Sequence, residues 1–456
     1  MQHRTIIEPF KIKVVEPLPL RTVEDRERIL DDVGYNLFAL HASDVTFDFL
    51  TDSGTSAMSA AQWGAMMVAD ESYAGSRSFY RFEEVVQRLT GYHHVIPTHQ
   101  GRAAERLLFS LRCQRGQLVP SNNHFDTTRA NLEQLGVEAV DLVCQEARDP
   151  ALEHPFKGNI DVPRLESFLR EHTGRVPFVM LTITNNTGGG QPVSLDNIRA
   201  VSKVCRSHGV PLYLDACRFA ENAWFIKVRE PEQQARSARE IAREVFDLAD
   251  GCLVSAKKDG LVNIGGFIAL RDDSWLADLR NALVLTEGFP TYGGLAARDL
   301  EALAVGLDEV LDERYLSYRV AVTRYLADGL AKCGVPTVRP PGGHAVYIDA
   351  RTLLPHIPAE AFPAQALAIE LYRAEGIRSC EIGSVMFGKA PDGGFRPSAM
   401  ELVRLALPRR VYTQAHFDYV LEGIADVATR RTQLRGVRIT YEPAFLRHFT
   451  AKFAPL

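Results

Sequence analysis

The sequence predicts an α/β fold: a mostly parallel sheet with helices on both faces, joined to a smaller α+β domain. Two observations carry this. Between residues 93 and 254, apolar runs of strand length alternate with helical windows, which is the pattern of βαβ units. Beyond about residue 310 the alternation stops, and short apolar runs lie among amphipathic stretches. The 456 residues suffice for two domains. The expected division is a large domain over 50–310 and a small one built from 1–49 and 311–456.

Taken in order, residues 1–50 read as irregular, with Pro9, Pro17 and Pro19, a short charged helix over 24–32 and a strand over 45–50. A helix is expected over 60–68, and 82–89 has helical spacing. Strands are expected at 93–97, 118–120, 139–143, 178–183, 211–214 and 252–254. The clearest helix covers 195–208. Ile198, Val201, Val204 and Cys205 share one face, Ser194 suits the N-cap, and Gly209 sits where a helix-ending glycine belongs. A long amphipathic helix follows over 315–331, then strands at 346–349, 378–382 and 403–407. Residues 390–397, rich in glycine and proline, read as an exposed loop.

Composition limits function. Apolar residues make up 46% and charged residues 24%, as in ordinary soluble proteins. A net charge of −5 argues against a nucleic-acid-binding surface. Seven scattered cysteines, with no CxxC pair, suggest free thiols in a reducing compartment. The sequence shows neither a signal-peptide core nor a stretch of membrane-spanning length, so a cytoplasmic protein is expected.

In open parallel sheets the site forms at the carboxyl ends of strands. Four polar loops sit at such ends: 98–102, 185–191, 215–218 and 255–259. The last delivers Lys258 beside the glycine-rich run Asn263-Ile264-Gly265-Gly266, some forty residues after Asp215. An acid for a pyridine nitrogen and an amine for a Schiff base are what pyridoxal phosphate (PLP) needs. Gly101 and Arg102 at a strand-to-helix junction suit a phosphate. Other chemistries fit less well. Ser255 and Lys258 match the SxxK of serine acyl-transfer enzymes, but SDN and KTG partners are missing. There is no HExxH, and His93-His94 has no i, i+4 partner, so a metal hydrolase is disfavoured. Single histidines such as His344 and His416 read as core or surface residues. GxGxxG is absent, which weakens nucleotide binding.

The stretches LTDSGT (50–55), PTHQGR (97–102), GGQPVS (189–194), ENA-x-FIK (221–227), SAKKD (255–259), NIGG (263–266), EGFPTYGG (287–294), GGHA (342–345) and YEP-x-x-LRHFTA (441–451) resemble the tryptophanase and tyrosine phenol-lyase family of PLP-dependent β-eliminating lyases. The resemblance spans nearly the whole chain. It implies an aspartate-aminotransferase-like architecture (PLP fold type I) and a homotetramer with shared active sites. It implies that Lys258 is the Schiff-base lysine, Asp215 the partner of the ring nitrogen, Arg218 a neighbour of the ring hydroxyl and Phe125 the stacking residue. Gln100, Gly101, Arg102, Ser255 and Lys257 would hold the phosphate. Arg404 would clamp the substrate carboxylate with Thr51, Ser53 and Asn186, the last also beside the cofactor. Tyr73, reaching in from a neighbouring subunit, would protonate the leaving group, and Phe289 would line the pocket. A monovalent cation, K+ or NH4+, would take the Glu71 carboxylate and the carbonyls of Gly54 and Asn263.

Within the family, Met58-Ser59, Gln62-Trp63 and Leu261-Val262-Asn263-Ile264 look closer to the phenol-cleaving branch. Three pocket positions point to indole. Asp126 replaces a threonine and can accept from an indole N–H. Ile382 replaces the arginine that meets a phenolic oxygen, and His448 replaces a phenylalanine. Cleavage of L-tryptophan to indole, pyruvate and ammonia is therefore expected. A phenol-lyase and a catalytically silent PLP-binding protein stay open as alternatives.

Overall fold

In the computed structural model, alternate residues along the central strands face opposite ways, and both directions are apolar. Residues 7–389, 393–443 and 446–456 are described. The chain divides into two units: Ser53–Ala147 with Pro155–Ser317, and Met1–Asp52 with Arg148–His154 and Tyr318–Leu456.

The first unit holds a five-stranded sheet in the order His94–Thr98, Gly266–Leu270, Gly251–Ser255, Leu212–Asp215, Val179–Thr182. Gly266–Leu270 runs antiparallel to both neighbours; the other adjacent pairs are parallel. A parallel pair, Leu118–Ser121 with Glu138–Asp141, lies beside it. There Asn122 replaces a backbone ladder: its side-chain amide donates to Thr182 O at 2.9 Å and accepts from Thr182 N at 2.9 Å. Val179, Leu181, Leu212, Leu214, Cys252 and Val254 pack on one face, beneath the Arg77–Thr90, Leu195–Ser207, Phe219–Arg229, Ala238–Asp247 and Ala297–Glu309 helices. Met180, Tyr213, Leu253 and Ile268 pack on the other, beneath the Gly101–Arg112, Asp126–Gln134 and Leu276–Thr286 helices. Burial on both faces explains why these strands read as continuous apolar runs. Each fully buried Leu or Phe contributes about 1.5–3 kcal/mol.

Local signals act as read. The Ser194 hydroxyl accepts from Asn197 N, and Gly209 takes φ +64° beyond the Leu195–Ser207 helix. The expected strand at 45–50 shortens to Phe47–Asp48, paired in parallel with Ile377–Arg378. The Gly266–Leu270 strand lies outside the sequence reading because Gly265-Gly266 resembles a loop. The glycine has a steric reason: a Cβ at Gly266 would lie 2.7 Å from Gln100 C and 2.8 Å from Gly101 N. Residues 390–392 of the expected exposed loop lie outside the described residues; 393–397 are exposed.

The second unit is α+β. Cys380–Ile382, Leu402–Ala406 and Ala345–Asp349 form an antiparallel sheet in that order. The Pro363–Glu375 and Gln414–Thr429 helices supply much of its core, with a hairpin of Val437–Tyr441 and Lys452–Pro455. Among the described residues, no helix is long and apolar enough to cross a membrane. All seven cysteines are free.

One packing contact braces the lysine loop. Gly306, in the Ala297–Glu309 helix, abuts Gly260; a Cβ there would lie 1.9 Å from Gly260 O. The buried Gln62 side chain donates to Leu261 O at 3.0 Å and Ala302 O at 3.1 Å across the same seam. Gly306→Ala is therefore expected to destabilise the protein by about 1–3 kcal/mol through overpacking, measured as a lower urea midpoint; an unchanged midpoint contradicts this seam.

Candidate active site

The parallel strands of the first unit end along one edge. Register sets Thr182 opposite Asp215, and Gly266 opposite both Ser255 and Thr98. The loops leaving these ends carry the expected cofactor residues, as sheets of this type require.

The acid loop and the lysine loop are stitched together. Ala216 N donates to Leu253 O at 2.9 Å, and Ser255 N to the Cys217 sulfur at 3.1 Å. Asp259, fully buried, donates from its N to Cys217 O at 3.3 Å and accepts from Ala220 N at 2.8 Å. Ser255 ends a strand rather than opening a helix, which removes the SxxK acyl-transfer reading. Asp215 and Lys258 are half-buried, and their charges act on the same neighbours, Cys217 and Glu105. Burial, then the Asp215 charge, pushes the Cys217 thiol far above its usual range, so it is a neutral acceptor here rather than a nucleophile.

An anion cradle adjoins this pair. The Gly101–Arg112 helix starts at Gln100, whose side chain makes no capping bond, so the first N–H groups suit an external anion. Gly101 admits no larger residue: a Cβ would lie 2.5 Å from Ser255 Cβ. Gly265 N donates to His99 O at 2.8 Å, and Ala256 N to Gly265 O at 3.1 Å, binding this turn to the lysine loop. Burial, then the positive charges of Lys258 and Arg102, lowers the Lys257 pKa. An uncapped helix start, a serine and the cations Arg102 and Lys257 fit a phosphate; an acid beyond them fits a pyridinium nitrogen. The residues present therefore fit PLP.

The flanks carry the remaining candidates of this unit. Phe125 is the N-cap of the Asp126–Gln134 helix, and Asp126 is buried, accepting from Thr127 N at 2.6 Å. Asn186 and Arg218 are buried. Tyr73 is 70% exposed, its ring 5.5 Å from Phe289 and 5.6 Å from Tyr292. Its hydrogen bond with Tyr292 raises its pKa. Ser53 is half-buried. Asn263 donates to Gly54 O and Ser56 O, both at 3.0 Å. The third expected cation ligand, Glu71, accepts from Ala297 N at 2.9 Å and Arg298 N at 3.2 Å at a helix start.

The second unit holds the rest. Arg404 is buried in the central strand of its sheet, opposite Cys380 and Tyr347, and donates to Leu50 O at 2.9 Å, next to Thr51. Beside it, Arg409 and Asp52 form a fully buried ion pair at 2.9 Å, fixing the same loop. Ile382 ends the Cys380–Ile382 strand, and buried His448 packs its ring 5.8 Å from Phe38. Ala444 and Phe445, within the quoted 441–451 stretch, lie outside the described residues.

Sequence reasoning missed Glu105. It stands four residues after Gly101, and its carboxylate binds Thr128 and Asn131, bracing the helix that Phe125 caps. The available signal was an acid amid the apolar face Ala104, Leu107, Leu108. It also missed His124, next to Phe125 in the chain, whose Nδ1 meets Asp141 at 2.8 Å.

A model of the β-eliminating lyase family matches residues 48–422. The chain is 60% identical to a tryptophanase of Hyphomonas neptunium, covering 99% of this chain and 100% of that one. It is 62% identical to a tryptophanase of Salinibacter ruber (99% and 96% covered). Against a tyrosine phenol-lyase of Symbiobacterium thermophilum the identity is 48%, with both chains fully covered. In fold it is similar to a Sphingomonas wittichii serine palmitoyltransferase (TM-score 0.60, 14% identity, 90% and 97% covered) and a Leishmania major threonine aldolase (TM-score 0.59, 15% identity, 84% and 99% covered).

Desolvation, and then the Asp215 charge, pushes the Glu105 pKa up to about 7. A raised folded-state pKa gives stability that is full below the unfolded value and is lost as pH rises through the folded one. The urea midpoint of the apoprotein is thus expected to fall between about pH 4.5 and 7, and Glu105→Gln is expected to flatten that fall. Parallel curves for the two proteins would contradict the assignment.

Proposed function

The chain belongs to the β-eliminating lyase family, and we propose that it cleaves L-tryptophan to indole, pyruvate and ammonia, with PLP as cofactor. Identity near 60% to two tryptophanases along almost the whole chain carries the reading. The residues at the three discriminating positions, Asp126, Ile382 and His448, support it.

When bound, PLP supplies an aldehyde for the substrate nitrogen and an electron-poor ring that takes up the charge left when the α-proton departs. The chain's residues do the rest. Asp215 holds a proton at the ring nitrogen; two unit charges about 4 Å apart attract by about 4 kcal/mol at an effective dielectric of 20. Gln100, Gly101, Arg102, Ser255 and Lys257 bind the phosphate, Phe125 stacks on the ring, and Arg218 and Asn186 hold its oxygen. Arg404 binds the substrate carboxylate in planar, bidentate fashion, which a lysine would not do; Thr51 and Ser53 complete that clamp. The Lys258 amine removes the α-proton. Asp126 accepts from the indole N–H, assisted by His448, and Tyr73 delivers the proton to the ring carbon that leaves as indole, with Phe289 beside it.

A tyrosine would set its hydroxyl against Ile382. An unpaired buried polar group costs about 1–3 kcal/mol, roughly a tenfold to hundredfold penalty. Exposed Trp63, Met67 and Val68, with Ile12, Val14, Val15 and Leu20, support a homo-oligomer, assigned here as a tetramer. K+ or NH4+ binding rests on the Gly54 and Asn263 carbonyls with Glu71. The composition supports a cytoplasmic location and a small-molecule substrate rather than nucleic acid or membrane.

With PLP and K+, L-tryptophan is expected to yield indole and pyruvate in equal amounts, and L-tyrosine to react at least about tenfold less efficiently. Phenol as the dominant product would replace this reading with the phenol-lyase. Asp126→Thr is expected to lower kcat/KM for tryptophan by about ten- to a hundredfold, while S-ethyl-L-cysteine, whose thiolate leaves unaided, changes less than about threefold. Equal losses on both substrates would remove Asp126 from indole recognition.

A further inference from the structure

The turn after Ile382 is gripped by buried charge that the reaction above does not use. Glu381 is 3% exposed and Glu401 1%. The Glu381 carboxyl accepts from Val385 N at 2.9 Å and Met386 N at 3.1 Å. Glu401 accepts from Ser384 N at 3.3 Å and from the Ser384 hydroxyl. The two acids flank Gly383 so closely that a Cβ there would lie 2.4 Å from Glu401 Oε2 and 2.7 Å from Glu381 Oε1. The carbonyls of the same turn meet one guanidinium: Arg447, also buried, donates to Ser384 O and Val385 O and pairs with Glu442 at 3.2 Å. The short Ser384–Phe387 helix thus has N–H and C=O groups alike tied to side chains from two distant segments.

Two of these ties adjoin a residue of the proposed leaving-group pocket, and Glu401 meets the same turn across the sheet. Glu381 precedes Ile382, and Arg447 precedes His448. We propose that Glu381, Glu401 and Arg447 are positioning residues that fix Ile382 and His448 relative to each other, and so set which aromatic leaving group is accepted. This rests on the reading of Ile382 and His448 as leaving-group residues. Buried charged networks contribute little net stability, and fixing a register is their best-attested use. The pair also has an electrostatic cause to act as one unit. Burial, then the Glu401 charge, pushes Glu381 up to about 8, so at neutral pH the two carboxyls carry a proton between them. The charges of Arg351 and Asp349 also act on Glu401.

The test compares holoenzyme variants Glu381→Gln and Arg447→Lys on L-tryptophan and on S-methyl-L-cysteine, whose leaving group has no ring to orient. The ratio of kcat/KM for tryptophan to that for S-methylcysteine is expected to fall about tenfold or more in both, within the range a misplaced buried contact produces. Ser384→Ala, which loses the hydroxyl's bonds to Glu401 and from Ser398 N, is expected to lower it several-fold, and it serves if a stronger variant does not fold. An unchanged ratio, or equal losses on both substrates, overturns the positioning role. His448→Phe and Ile382→Ala run alongside. If they lower the ratio while Glu381→Gln and Arg447→Lys do not, only this proposal falls; if they leave it unchanged, the leaving-group reading falls instead.

Discussion

The structure depends on the stitching of two strand ends. Asp215 leaves one parallel strand and Lys258 follows its neighbour, and their loops are joined through Cys217 and Asp259. Parallel pairing puts both loops on one edge, and the Asp215–Leu253 register sets their offset. An acid and an amine that must face opposite ends of one small ring need such a fixed separation. Buried Asp259 supplies it by binding backbone on the acid side while sitting next to the lysine in the chain. The lysine loop is then wedged from behind by Gly306 and Gln62, where no spare volume exists.

Around that pair the charges are sorted. Lys257, Arg102 and a helix start without a side-chain cap lie on one side of the charge balance, Asp215 and Glu105 on the other. Burial, and after it the neighbouring like charge, lowers the lysine at 257 and raises the acid at 105, so a partner of opposite sign would stabilise each cluster. A dianionic phosphate at one end and a ring cation at the other supply those partners together.

Much of this was legible in the sequence. The helix at 195–208 carried its own cap, face and terminating glycine, and the strands announced themselves as apolar runs because helices cover both faces. The lysine, the acid and the glycine-arginine turn could be grouped because strand ends converge in parallel sheets. The antiparallel Gly266–Leu270 strand was hidden, since its opening glycines serve close approach to Gly101 rather than a turn. Glu105 and the Glu381–Glu401 pair were hidden for a different reason. A charged residue inside an amphipathic stretch looks solvated until the packing shows which groups enclose it. Which carbonyls Arg447 would bind depends on segments some sixty residues apart, and no local pattern encodes that.

The proposed function requires that the Lys258 amine, and no other, hold the cofactor aldehyde. Borohydride reduction of the PLP-loaded protein, followed by peptide mapping, tests it most directly. One stable pyridoxyl label per chain, on Lys258, is expected. A label on Lys257 or any other lysine, or no label at all, would contradict it.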